Sequence, residues 1–192
     1  MAFLLIAGTN SYAAYENFSV DHSSYKNAQY VGDLYDSSDI HIFGGRGYVP
    51  EFFEFSDNDD ADFYSFIADR NDTINITVLT PFGPDNITDP VLGLFNSQGE
   101  LLATDDDSHS AFGLDSFISY SIMETGFYAI AISGYDDYNF DGLGDFGAIN
   151  TDYLYTVDIT AVPVPATAWL LSSALLGLAG FRLPRNRRTF SS

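Results

Sequence analysis

The sequence predicts an all-β fold, an antiparallel β-sandwich, followed by one C-terminal transmembrane helix. Three observations carry this expectation. Nine short segments between residues 40 and 160 mostly alternate apolar with polar or small residues, the period of a strand with one face buried. Clusters of Gly, Pro, Asn and Asp separate them, as tight turns require. No stretch before residue 166 sustains a helical period, whereas residues 166–181 form an uncharged run closed by arginines.

Taken in order, residues 1–8 are apolar and Ser11-Tyr12-Ala13 is a small-x-small site. Together they predict a signal peptide over residues 1–13, cleaved after Ala13. The basic residues that normally precede such a segment are missing, which points to a start upstream of Met1. The expected strands are 40–43, 52–55, 62–67, 73–80, 91–95, 101–103, 117–122, 126–132 and 153–160. Turn signals at 81–86, 96–99 and 124–126 divide them. Eight or nine short strands over one domain, 14–161, suit two packed sheets. Beyond it, Pro163 and Pro165 hold the backbone extended and delay any helix until Ala166. The run 166–181 is at the short end of the roughly 17–25 residues that span a bilayer. Arg182, Arg185, Arg187 and Arg188 would keep its far end cytoplasmic.

Composition narrows the function. The chain has no cysteine, so disulfides and thiolate metal sites play no part. Its 17 phenylalanines and 13 tyrosines supply a large core instead. Up to residue 162 only Lys26, Arg46 and Arg70 oppose all 27 acidic residues. Such a field repels phosphate backbones and excludes nucleic-acid binding. Most of the acids are aspartates placed in turns, where short carboxylates suit calcium.

Three acidic clusters are candidate calcium ligands. The first, Asp57, Asp59, Asp60 and Asp62, stands immediately before a strand. The second, Asp105, Asp106 and Asp107, follows one. The third, Asp137, Asn139 and Asp141 with Gly142 next, matches the first half of a D-x-[DN]-x-[DN]-G calcium loop. Its twelfth position is Ala148 instead of glutamate and no helix flanks it, so it is not an EF-hand. Aspartate is also a favoured turn residue, and solvated acidic turns are the competing explanation. Neighbouring aspartates repel one another without a counter-ion, which favours at least one metal site.

No catalytic constellation stands out. Asp107-Ser108-His109 contains triad residue types, but adjacency in sequence is not triad geometry. No G-x-S-x-G elbow or H-E-x-x-H helix occurs. Tyr135, Tyr138, Phe140, Phe146 and Tyr153 surround a glycine-rich loop, where packing is the expected role and stacking on sugars the alternative.

Two resemblances follow from these motifs. Val162-Pro163-Val164-Pro165-Ala166, Trp169-Leu170, the run Leu175-Leu176-Gly177-Leu178-Ala179-Gly180 and Arg185, Arg187 and Arg188 resemble the PEP-CTERM sorting signal of Gram-negative bacteria. Here the name-giving Pro-Glu-Pro is Pro163-Val164-Pro165. The resemblance implies an exosortase partner, an inner-membrane stage and delivery to the cell surface or extracellular matrix. The order of Asn27-Ala28-Gln29, Asp60-Ala61-Asp62-Phe63-Tyr64-Ser65-Phe66, residues 90–107 and Gly126-Phe127-Tyr128-Ala129-Ile130-Ala131-Ile132 is similar to the bacterial pre-peptidase C-terminal (PPC) domain. That similarity implies a jelly-roll-like, non-catalytic sandwich, and some such domains bind calcium. The combined expectation is an exported structural or adhesive protein associated with exopolysaccharide. The alternative is a secreted hydrolase of matrix polysaccharide or peptide.

Overall fold

The alternating segments pair into two facing five-stranded sheets. The computed structural model describes residues 11–17, 19–46, 61–80, 88–109, 114–142, 153–162 and Ser173, and the backbone of Tyr48–Val49 and Glu54–Phe55. The chain divides into Met1–Val162 and Pro163–Ser192. Of the second unit only Ser173 is described, in helical conformation. No helix among the described residues is long and apolar enough to cross a membrane. Apart from Ser173, the expected helix 166–181, with Trp169, and the residues Pro163, Val164, Pro165, Arg185, Arg187 and Arg188 lie outside the described residues.

The first sheet contains β1 (Ser11–Tyr15), β3 (Asp39–Arg46), β7 (Thr73–Leu79), β10 (Phe117–Ser121) and β12 (Tyr153–Val162), in the order β1-β3-β12-β7-β10. The second contains β2 (Gln29–Asp33), β6 (Asp62–Ala68), β8 (Pro90–Phe95), β9 (Leu101–Asp105) and β11 (Gly126–Gly134), in the order β2-β6-β11-β8-β9. A small hairpin joins β4 (Tyr48–Val49) to β5 (Glu54–Phe55), so only the second half of the expected strand 52–55 is described.

Two features differ from expectation. Ser11-Tyr12-Ala13, read as a cleavage site, forms most of β1 on the edge of the first sheet. The sandwich is also not wholly antiparallel, because β1 pairs with β3 and β2 with β6 in parallel. The chain passes from the first sheet to the second and back between β1 and β3, and two reversals leave those strands running the same way.

Period two assigns the faces. In register across four strands, Ile40, Ile159, Ile76 and Ile118 form one inward row, and Ile42, Val157 and Val78 form the next. Opposite them lie Tyr64, Ile130 and Leu94 of the second sheet. A smaller cluster of Phe63, Val91, Phe95, Ala129, Ala131 and Phe140 includes the outward side chains of that sheet. Phe140 lies so close to Gly93 that a Cβ there would stand 2.5 Å from its ring.

Strand directions gather the acids. The ends of β9 and β11 and the starts of β6 and β8 share one end of the second sheet, where Asp62, Ile132, Leu92 and Asp105 form a single cross-strand row. Tyr155 of β12 bonds to Asp62 and Tyr153 to the Ser133 carbonyl, so the start of β12 lies at this same end. From there β12 runs to Val162 at the other end.

Candidate cation site

Of the three predicted clusters, the structure divides the second, internally satisfies the third and redirects the described part of the first. In the second, Asp105 is a structural acceptor. Its Oδ2 takes the amides of Phe117 at 2.7 Å and Ser108 at 3.1 Å, and its Oδ1 takes the Ser108 hydroxyl. These bonds fix the turn after β9 to the start of β10. Asp106 and Asp107 converge instead on Asp89, whose position just before β8 gave no signal in the sequence. One carboxylate oxygen from each of the three lies within 4.8 Å of the others.

Ser116 brings these backbones together. It is fully buried, and its single hydroxyl hydrogen is shared between the carbonyls of Pro90 and, at 2.9 Å, Asp106. Asp115 beside it accepts both the amide and the hydroxyl of Thr80 at 3.0 Å, and the Thr88 hydroxyl donates to Thr80 at 2.6 Å. Asp89 is thus held next to Asp106 from both sides.

The three carboxyls of this trio bear on one another. Among the described residues, Oδ1 of Asp89 and Oδ1 of Asp106 are shut off from solvent and meet no donor beyond the proton that the two carboxyls can share. Burial, then the charges of Asp106 and Asp107, push the Asp89 carboxyl up to about 7. Asp107 is raised for the same reasons, burial first and then Asp106 and Asp105. Two carboxylates at this spacing repel by on the order of 3 kcal/mol at an effective dielectric near 20. The donors are all carboxylate oxygens. That set fits a hard divalent cation, which takes six to eight oxygens including water and carbonyls.

The third cluster is satisfied by its own chain. Asp137 is buried, and its carboxylate accepts the Ser133 hydroxyl, the Gly142 amide at 2.9 Å and the Asp141 amide at 3.2 Å. Asn139 and Asp141 are exposed. The calcium-loop pattern therefore closes a tight turn, with Gly142 at φ 77°. Tyr138 leaves this turn toward the trio, where its hydroxyl donates to Asp106 Oδ2 at 2.5 Å.

In the first cluster, Asp57, Asp59 and Asp60 lie outside the described residues. Asp62 turns inward, on the same face as Tyr64 and Phe66. Its Oδ2 accepts the Tyr155 hydroxyl at 2.6 Å, and its Oδ1 faces His22 Nδ1 at 3.6 Å. His22 Nε2 meets Glu16 Oε1 at 3.2 Å, and Glu16 Oε2 accepts the Gly45 amide at 2.7 Å. Glu16, His22 and Asp62 also converge within 4.8 Å. Burial, then the charge of Glu16, raise Asp62 to about 7 against the pull of Tyr155, His22 and Arg46. Burial opposes charge on His22, but the Glu16 hydrogen bond and the charges of Asp62 and Glu16 outweigh it and raise its affinity for a proton. His22 therefore lies between two carboxyl groups, each anchored through its other oxygen. This second trio includes an imidazole between its two carboxyl groups, whereas the first consists of carboxyl groups alone. Neither Glu16 nor His22 had a sequence signal. Asp62 had one, since it shares the parity of Tyr64 and Phe66 along β6.

Residues 60–134 match the family model of the bacterial pre-peptidase C-terminal domain. The match covers β6 to β11, less than half of the chain, and includes Asp62, Asp89, Asp106 and Asp107. Glu16, His22, Tyr153 and Tyr155 fall outside it. Among solved structures, the pre-peptidase C-terminal domain of a Bacillus anthracis collagenase is 16% identical, with a TM-score of 0.40 over 70% of this chain and 94% of that one. The Aeromonas hydrophila periplasmic lysozyme inhibitor PliG is 11% identical, with a TM-score of 0.39 over 80% and 99%. The surface-associated copper-binding protein CorA of Methylomicrobium album BG8 is 8% identical, with a TM-score of 0.42 over 81% and 100%. No residue role is carried over at these levels of similarity. No curated protein matches the chain by sequence.

Proposed function

We propose that this chain is an exported, non-catalytic PPC-like sandwich that binds calcium between Asp89, Asp106 and Asp107. Its role is structural or adhesive, in association with extracellular polysaccharide. The observation that carries the calcium assignment is the convergence of three carboxylates, with one buried oxygen on Asp89 and one on Asp106 that meet no donor from elsewhere among the described residues. Export rests on the apolar segment before Ala13 and on the tail, where a proline break, an apolar run and terminal arginines follow one another. That layout, from Val162 to Arg188, is the basis for assigning an exosortase partner, an inner-membrane stage and display on the surface of a Gram-negative bacterium.

Thermal unfolding of the full chain in excess chelator, and then in calcium or magnesium, tests the assignment. Calcium at one hundred times its Kd stabilises by about 2.7 kcal/mol, a rise of roughly 5–10 °C for a domain of this size. Magnesium should give much less, because it demands octahedral geometry and sheds water reluctantly. A midpoint that calcium leaves unmoved would remove the cation from this function.

A further inference from the structure

The turn after β11 is rigid for reasons unconnected with a metal, and it presents one side chain to the acidic trio. Asp136, Phe140 and Gly142 all have left-handed backbones, at φ 70°, 55° and 77°. For the two that are not glycine this conformation costs on the order of 1 kcal/mol each. The turn is held by the Asp137 carboxylate and by Phe140, which meets Phe95 edge-on at 5.5 Å and lies over Gly93. Tyr138 stands between these two anchors, and its hydroxyl reaches Asp106 Oδ2. A hydrogen bond to one oxygen of a carboxylate fixes the direction of the other. Here the other is Asp106 Oδ1, which is buried, meets no donor other than Asp89 among the described residues and belongs to the group converging with Asp89 and Asp107.

We propose that Tyr138 is the positioning residue of the cation site, aiming Asp106 Oδ1 at the metal through the bond to Oδ2. This inference rests on the calcium assignment above. It gives the calcium-loop pattern at residues 137–142 an indirect purpose, which is to hold a phenol against another cluster's ligand. Outer groups that orient a metal's ligands typically contribute 10–100-fold in affinity.

The geometry also puts a phenol ring beside the bound ion, so Tb³⁺ in place of Ca²⁺ reports on it by tyrosine-sensitised emission. The full chain is titrated with Tb³⁺ by luminescence and with Ca²⁺ by calorimetry. Tyr138→Phe should lose most of the sensitised emission and weaken Ca²⁺ binding about tenfold, while Tyr135→Phe keeps both. In an Asp106→Asn background, Tyr138→Phe should change the calorimetric Ca²⁺ affinity by less than about twofold, since residues acting through one another are not additive. A similar tenfold loss in that background would mean that Tyr138 merely supports the fold, overturning the inference. Wild-type Ca²⁺ affinity in Tyr138→Phe would overturn it too and leave the calcium assignment standing. A wild-type chain that binds neither ion would overturn both.

Discussion

Replacing Asp89 with asparagine should stabilise the protein when no cation is present and make it indifferent to calcium. Asp89 is forced to ionise beside Asp106 and Asp107, which lifts its carboxyl from 3.8 to about 7. At 1.36 kcal/mol per unit this displacement corresponds to roughly 4 kcal/mol. The group is only partly buried, and solvent screening reduces the figure to about 1–2 kcal/mol. The sign follows from proton uptake. An acid whose folded value is raised favours folding fully only below its unfolded value, and that advantage is lost as pH rises through the folded one. The cost is therefore small near about pH 4 and complete above about pH 7. The assay is circular-dichroism melting of wild type and Asp89→Asn in chelator across that range. The variant should gain about 3–6 °C at high pH, and almost nothing at low pH. Comparing two proteins that differ at one site cancels the titration of His22 and Asp62. Asp36→Asn, an exposed acid outside this end of the sandwich, controls for removing one charge from a very acidic chain. Equal gains from both variants, or a gain that ignores pH, would refute the argument. So would a variant that calcium still stabilises as it does the wild type.

Three further outcomes follow from the same contacts. Ser116→Ala removes the hydroxyl shared by the Pro90 and Asp106 carbonyls; denaturant unfolding should show a loss of about 1–3 kcal/mol, with weaker calcium binding by calorimetry. Tyr155→Phe takes the donor from Asp62, so the loss in melting temperature should be larger above about pH 7, where Asp62 is ionised, than near about pH 5. Gly93→Ala places a methyl group 2.5 Å from the Phe140 ring; overpacking of this kind costs about 1–3 kcal/mol, readable as faster amide exchange in the turn at 134–142.

Much of the sandwich was legible because period two is a direct consequence of burying one face of a strand. Segments such as 73–80 and 153–160 declare themselves through isoleucine, valine and tyrosine at every second position. β1 does not, because Ser11, Ala13 and Ala14 are small and read equally well as a cleavage site. The candidate site was half legible. Asp106 and Asp107 stand out as part of a run, but adjacency cannot show that Asp105 spends its oxygens on the Phe117 and Ser108 amides. Asp89 is a single acid before a proline, and only the pairing of β8 with β9 brings it opposite the run. Asp137 was misleading in the other direction. A motif that supplies calcium ligands also supplies a well-formed turn, and here main-chain amides take the carboxylate.

The direction of β12 has a consequence for attachment. Its ten residues begin with Tyr153, at the carboxylate end, and finish at Val162. At about 3.3 Å per residue, β12 carries the chain roughly 30 Å from Tyr153 to Val162, at the end of the sandwich opposite the acidic trio. The carboxylates thus occupy the end of this domain opposite Val162. A polymer or neighbouring molecule that shared a cation held there would meet this domain at the end opposite Val162.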